Sequence, residues 1–293
     1  FAVVVDDIDM QISHVIRGED HISNTPMQIL IYEALGKEVP KFAHLPLILA
    51  PDRSKLSKRH GAVAVMDYKK DYLPEAILNF LGAMSHTFSK ELLTKEEMVK
   101  EFELSKVHKS GAVFNVDKLN WFNSQWEKKI FQKDPEIIKD MIFRVSGARS
   151  TTVVAGIIVD RVTKLSEIED FAYLLKGSND NLNYEKELLV WKHSNPEKTK
   201  ESLIKSKKII ENLGSLPDDM VDNSNELFTE KEELNQKLIN LSSEFGKDKG
   251  VVFWPLRVAL SGKDKSDGPI ELTTALGKEK TIKRIEKAIE KLQ

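Results

Sequence analysis

Along residues 1–50, short apolar runs alternate with one helical repeat. "AVVV" (2–5) is a continuous apolar run closed by Asp6-Asp7, and "SHVIRG" (13–18) is a second short run. Both predict strands, the first of them buried and followed by an acidic turn. "NTPMQILIYEALG" (24–36) predicts a helix. Asn24 or Thr25 can cap it, Pro26 sits at the first helical position and Gly36 can take the left-handed position past its end. "HLPLILAP" (44–51) predicts a further apolar strand bounded by Pro51. Strand, helix and strand in that order predict a parallel sheet with helices on its faces.

Beyond Pro51 the period becomes helical. "LPEAILNFLGAM" (73–84) opens on Pro74 and places Ala76, Ile77, Phe80, Leu81 and Met84 on one face. "TKEEMVKEF" (94–102) has Thr94 followed three residues later by Glu97, a capping box. "NVDKLNWFN" (115–123) predicts a short helix. From about residue 134 the chain is helical in pattern and heavily charged, with loop signals at "KGSND" (176–180), "GSLPDD" (214–219) and "SGKDKSDGP" (261–269). The last helix, "TIKRIEKAIEKLQ" (281–293), puts Ile282, Ile285, Ile289 and Leu292 on one face and Lys and Glu on the other. The expected architecture is an α/β part followed by a mostly α-helical remainder, without internal repeats.

Composition narrows the class. The 293 residues are 41% hydrophobic and 31% charged, a globular balance whose length suggests about two domains. No run of 18 apolar residues is present, so no membrane span or membrane partner is expected. "FAVVVDDIDM" reads as the middle of a domain and not as a signal peptide, so sequence upstream of Phe1 is expected. The chain has no cysteine, which excludes a disulfide framework and a thiolate zinc site in this segment and fits a reducing compartment. The net charge of -2 argues against a basic nucleic-acid binder as a whole. From Lys249 to the end, however, ten Lys and Arg stand against six Asp and Glu. That excess is either a phosphate-tracking surface or a solvated helix face. Trp121, Trp126 and Trp254 can stack on bases or pack in the core.

Two stretches carry candidate chemistry. "SKLSKRHG" (54–61) sets Lys55, Lys58 and Arg59 around Ser57, directly after an apolar strand. It lacks the P-loop spacing. Ammonium groups on flexible stems pair with phosphate, and ligands of open α/β sheets bind outside the carboxyl ends of the strands. The plainer alternative is a solvated basic turn. In "HVIRGEDHISNTP" (14–26), Arg17 ends a strand and Gly18 permits a tight turn before Glu19, Asp20 and His21. Arg17 can fork onto a carboxylate, Asp20 can accept from ribose hydroxyls, and His21 can pack against a base or donate to it. The plainer alternative is a surface Arg17–Glu19 pair beside helix-capping residues. No third ligand stands near Asp20 and His21, so no metal site is assigned.

Taken together, "VIRGEDHISNTP" and "FAHLPLILAPDRSKLSKRHGAVAV" resemble the glutamyl-tRNA synthetases of bacterial type, which are class I aminoacyl-tRNA synthetases. Lys55-Leu56-Ser57-Lys58-Arg59 is similar to their "KMSKS" signature. "FAVVVDD", "YLPEAILNFL", "FNVDKLNWFN" and "WPLRVALSG" (254–262) follow the family in the same order, whereas 134–250 matches only in helical character. The resemblance implies the carboxy-terminal part of a Rossmann-like class I catalytic domain over 1–53. It further implies a stem-contact domain with the lysine loop over 54–133 and a helical anticodon-binding region over 134–293. It implies ATP, as its Mg2+ complex, and glutamate as substrates, and ligation of glutamate to the 3′ end of its tRNA. A cytoplasmic monomer is the accompanying expectation.

The resemblance also implies residue roles. Lys58 contacts ATP phosphates in the transition state, and Lys55 and Ser57 shape the loop. Arg17 holds a carboxylate of glutamate, Asp20 lies near the ATP ribose, and His21 occupies an adjacent position where some members carry Trp. The backbone near Leu47 and Ile48 lines the adenine pocket. The family's "HIGH"-type motif is absent from these residues, as is its zinc site, so the segment alone is expected not to form glutamyl-adenylate. Some members exclude the tRNA for glutamine with an anticodon-domain arginine, and the corresponding "SLPDDMVDNSNELF" (215–228) has none. Charging of both tRNAs is therefore expected. A non-catalytic tRNA-binding module and a generic α/β nucleotide-binding protein are the rival readings. A "HIGH"-type motif encoded upstream separates the first of these from the enzyme.

Overall fold

The computed structural model describes residues 1–56, 64–175, 177–213 and 224–293, with backbone only at 224–228. The chain forms two compact units, Phe1–Glu127 and Lys128–Gln293.

Unit 1 opens with helix α1 (Ala2–Asp9), where the sequence pattern predicts a strand. Four consecutive apolar residues satisfy either geometry, and packing decides between them. Val4 is buried, the Tyr32 hydroxyl donates to Asp7 Oδ2 at 3.1 Å, and Gln11 turns the chain out of the helix at φ 54°. Burial, with Asp7 as its hydrogen-bond partner, pushes the Tyr32 phenol up to about 12.

The expected strand–helix–strand follows as β1 (His14–Gly18), α2 (Thr25–Ala34) and β2 (Lys41–Leu45). β1 and β2 pair in parallel, with Arg17 opposite His44. Gly36 holds its predicted left-handed turn at φ 64°. The cap differs from expectation. A 3₁₀ turn over Glu19–Asn24 feeds straight into α2, Asn24 is itself helical, and neither Asn24 nor any other side chain caps the helix. The single strand expected over 44–51 is two strands. Pro46 cannot donate to a ladder, so pairing with β1 stops at Leu45, and β3 (Ile48–Leu49) joins a different sheet.

The rest of unit 1 has its own core. It comprises the short α3 (Val65–Tyr68), α4 (Pro74–Ser85), α5 (Lys95–Glu101), β4 (Ala112–Val113), which pairs in parallel with β3, and α6 (Val116–Lys133) as far as Glu127, a helix twice the length expected from 115–123. Leu73, Ala76, Phe80, Leu93, Leu119, Phe122 and Trp126 are buried. Two buried amides lock loops to this core. Asn79 exchanges hydrogen bonds with both the N–H and the carbonyl of Leu93, each at 2.8 Å. Asn123 accepts from Leu73 N at 2.8 Å and donates to the buried Glu127 at 2.9 Å. The Thr94–Glu97 capping box is formed in both directions.

Unit 2 is helical: α7 (Pro135–Ser146), α8 (Thr152–Arg161), α9 (Pro196–Glu211), α10 (Ser224–Glu244), α11 (Gly250–Ser261) and α12 (Pro269–Lys291). Side chains of Asp134, Thr151 and Asn195 cap α7, α8 and α9, satisfying amides left open at helix starts. One apolar core runs through the unit, with Ile142, Leu203, Leu238, Leu256 and Ile285 fully enclosed. α12 is two helices meeting at Gly277, whose φ of 74° breaks the ladder. The expected polar face of its second half holds an exception. Arg284 is buried, donating to Leu260 O and, at 2.6 Å, to Tyr173 O. Burial lowers its pKa, and Asp180 opposes that shift.

Among the described residues, no helix is long and apolar enough to cross a membrane.

Candidate active site

The parallel pair ends at Arg17-Gly18 on one strand and His44-Leu45 on the other, and most of the predicted site residues described gather beyond that end. A Cβ on Gly18 would lie 2.5 Å from Asp20 Oδ1, so a larger residue there would move the Asp20 carboxylate from its present position.

Arg17 does not pair with Glu19. Its guanidinium donates to Thr25 Oγ1 at 2.8 Å, approaches His44 Nε2 at 3.4 Å and the His21 carbonyl at 3.4 Å, and lies 5.2 Å above the Phe42 ring. Thr25 Oγ1 and His44 Nε2 are themselves 3.0 Å apart. A hydroxyl, an imidazole and an aromatic face thus hold the guanidinium at the strand end, a fixed fork for an anion. His44 and Thr25 were not among the predicted site residues. The signal for His44 is its register opposite Arg17, which sequence alone does not supply. Glu19 instead accepts from the Leu47 amide at 3.1 Å, tying the turn after β1 to the approach to β3.

Asp20 and Lys55 meet. Lys55 Nζ lies 2.8 Å from Asp20 Oδ2, across 35 residues of sequence. The hydrogen bond from Lys55 lowers the Asp20 pKa below the ordinary carboxylate value. Both groups are exposed to solvent, with the Lys55 side chain at 60%, so the pair is exchangeable. Its backbone, in contrast, is fixed. Leu49 and Lys55 form an antiparallel bridge around a tight turn in which Ala50 N donates to Ser54 O at 2.8 Å. Asp52 Oδ1 accepts from Ser54 N at 2.9 Å and from Ser54 Oγ at 2.7 Å. Arg53 takes φ 65° in this turn, a conformation rare outside glycine.

His21 hydrogen-bonds Asn24 through Nδ1 at 3.3 Å. Ile48 accepts from Leu56 N at 3.0 Å through its carbonyl and leaves its side chain partly exposed. Ser57, Lys58 and Arg59 lie outside the described residues, as do 214–223 and the side chains of 224–228.

In this chain, residues 1–121 match the family described as tRNA synthetases class I (E and Q), catalytic domain, and residues 116–289 match an anticodon binding domain. The chain belongs to the glutamate and glutamine group of class I tRNA synthetases. Within this synthetase group, it is 36% identical to a glutamate–tRNA ligase of Thermodesulfovibrio yellowstonii, over 99% of the chain and 61% of that protein. It is 38% identical to glutamate–tRNA ligase 2 of Caldanaerobacter subterraneus, over 99% of the chain and 59% of the relative. The crystal structure of a glutamate tRNA ligase from Elizabethkingia meningosepticum, in complex with its amino acid, superposes with a TM-score of 0.79 at 30% identity. That match covers 100% of the chain and 60% of the solved structure. The chain therefore spans about three-fifths of the synthetases it matches. Its fold class is the expected one, a class I catalytic module followed by a helical anticodon-binding module.

The aromatic and basic residues read as either nucleic-acid contacts or ordinary packing and surface groups divide. Trp126 is buried, and Trp254 donates to Leu188 O at 2.7 Å while packing on Trp191. Trp121 is partly exposed, edge-on to Phe122. Of the carboxy-terminal cations, Lys278, Lys280 and Arg284 donate into the protein's own backbone, and Lys283 and Lys287 pair with Glu279 and Glu290.

Proposed function

We propose that the chain is the greater part of a glutamate–tRNA ligase, which activates glutamate with ATP and transfers it to the 3′ end of tRNA. The observation that carries this reading is the convergence of Arg17 with the Asp20–Lys55 pair at the carboxyl end of a parallel strand pair, in a chain of this family. Arg17 binds a carboxylate of glutamate, held in place by Thr25 and His44. ATP, as its Mg2+ complex, places its phosphates at Lys55 and Lys58 and its ribose near Asp20. His21 and Ile48 border the adenine, and Ser57 shapes the loop. The amino acid's carboxylate oxygen attacks the α-phosphorus and pyrophosphate leaves, with charge on the departing phosphates met by the two lysines. The 3′ hydroxyl of tRNA then attacks the acyl carbon and AMP leaves. An exposed Lys55–Asp20 pair suits this sequence, because a polyphosphate competes well for an ammonium that a single carboxylate holds in water.

Residues 1–53 then serve as catalytic domain, 54–133 as lysine loop and stem contact, and 134–293 as anticodon-binding region. The protein works as a cytoplasmic monomer. The tRNA for glutamine is a second acceptor, on the ground that 215–228 offers no arginine against it.

The test is charging of separate glutamate and glutamine tRNA transcripts with labelled glutamate by the protein that carries this chain, beside its Lys58→Ala variant. Both transcripts are expected to be charged, and the variant to lose the activity. No charging of either by folded protein, with tRNA still bound, would favour a binding module instead. The 293 residues alone are expected to give no glutamate-dependent ATP–pyrophosphate exchange.

A further inference from the structure

Lys55 reaches Asp20 because of how its strand returns. β3 is fixed on its outer side by β4, and Leu49 O accepts from Phe114 N at 2.8 Å. The chain then reverses over Pro51-Asp52-Arg53. Arg53 N donates to Ala50 O at 2.8 Å, Ala50 N to Ser54 O at 2.8 Å and Leu56 N to Ile48 O at 3.0 Å. These bonds close a hairpin with a three-residue loop, and Lys55 stands on its returning arm opposite Leu49. The last residue of such a loop is left-handed and ordinarily glycine. Here it is Arg53, at φ 65°. Its side chain is exposed and, among the described residues, has no hydrogen-bond or ion-pair partner. The backbone bonds on either side of Arg53 hold it in that conformation.

We propose that Arg53 is a positioning residue for Lys55, acting through its backbone conformation and not through its charge. Its catalytic consequence rests on the reading of Lys55 as a phosphate-binding group. The left-handed residue lets the returning arm carry one residue more than a plain two-residue turn would. If residue 53 leaves that conformation, the loop is rebuilt and the arm slips. A slip of one residue turns every side chain of the arm to the opposite face. Lys55 then leaves Asp20, 2.8 Å away at present, and Ser54 or Leu56 faces that side instead. The same feature weakens the hairpin relative to one built on glycine, because an L side chain at positive φ crowds the following carbonyl. The arm that carries Lys55 is thus held in register without being held tightly.

The Asp20 carboxylate reports on Lys55 without any charging assay. In the 293-residue chain, carboxyl carbon shifts in NMR should show Asp20 titrating below the ordinary carboxylate range, because Lys55 hydrogen-bonds to it. Arg53→Val, whose branched side chain tolerates positive φ least, is expected to bring that titration up to the ordinary range. Arg53→Gly and Arg53→Asn accept positive φ and should keep it low. Arg53→Gly should also slow amide exchange at Ala50 and Leu56 roughly fivefold or more, by relieving the cost at residue 53. In the protein that carries this chain, Arg53→Val is expected to lower ATP–pyrophosphate exchange roughly tenfold or more with the KM for glutamate unchanged. Arg53→Asn should recover most of that rate. An Asp20 titration that stays low in Arg53→Val would overturn the proposal. So would equal losses of exchange rate in the Asn and Val variants, which would assign the effect to the charge. The titration does not depend on activity, so it decides the placement of Lys55 even where the parent protein shows no exchange.

Discussion

Residues 1–50 and unit 2 use the same kinds of side chain to opposite ends. The first bury four residues and hold a charged site at a strand end; the second closes a continuous core from Ile138 to Ala288. Their arginines show the contrast most directly. Arg284 is enclosed and spends its donors on the carbonyls of Leu260 and Tyr173. Arg17 is braced at its edges by Thr25, His44 and Phe42 and remains within reach of an incoming anion. Satisfied and enclosed, a guanidinium is a structural tie; braced but accessible, it is a binding group.

Core truncation should break the comparison hardest. Leu203→Ala in unit 2 is expected to cost about 2–5 kcal/mol in denaturant unfolding, because the enclosed site leaves a cavity. In the same chain, Leu30→Ala should change unfolding by no more than about 0.5 kcal/mol, since Leu30 already faces water. The arginines come next. Arg284→Met removes a donor to the Leu260 carbonyl, one of two donors to the Tyr173 carbonyl and a cationic partner of the Asp180 carboxylate, for a loss of about 3 kcal/mol, whereas Arg17→Met should leave the melt of unit 2 untouched. Within unit 1, Asn123→Ala should cost about 2 kcal/mol by removing the partner of Leu73 N and of the buried Glu127.

The smallest effect is a titration. Lys55→Met should let the Asp20 pKa rise toward its ordinary value, read by carboxyl carbon shifts in NMR. In the parent chain the Asp20 carboxylate is held low. Whatever the pair contributes is therefore present above the ordinary carboxylate range and lost as pH falls through the lowered value. At neutral pH, where that contribution is present, the substitution should lower stability only slightly, because both groups are exposed to solvent.

The elements legible in the sequence were those fixed by local chemistry. Thr94 with Glu97, Pro74 at a helix start and Gly36 at a helix end each name their geometry without outside help. The readings that changed depended on distant partners. "AVVV" is a helix because Val4 and Asp7 meet the neighbourhood of Tyr32, and β3 leaves its expected strand because its pairing residues lie at 112–113. α6 runs past Asn123 because Leu119, Phe122, Trp126 and Ile130 recur at helical spacing, a period that the reading over 115–123 cut short among the charges of 127–129. In the site, Arg17, Asp20 and Lys55 were legible as residue types beside turns. Asp20 and Lys55 meet from 35 residues apart in the chain, the bracing of Arg17 by His44 is a fact of strand register across 27 residues, and its bracing by Thr25 depends on how the turn after β1 returns eight residues on.

The central claim is that Arg17 at the end of β1 is the group that recognises glutamate. Its most direct test is glutamate-dependent ATP–pyrophosphate exchange by the protein that carries this chain, with wild type beside Arg17→Met and with tRNA binding followed in parallel. Loss of exchange with tRNA binding retained is the predicted result. Exchange at the wild-type rate, with an unchanged KM for glutamate, would contradict it.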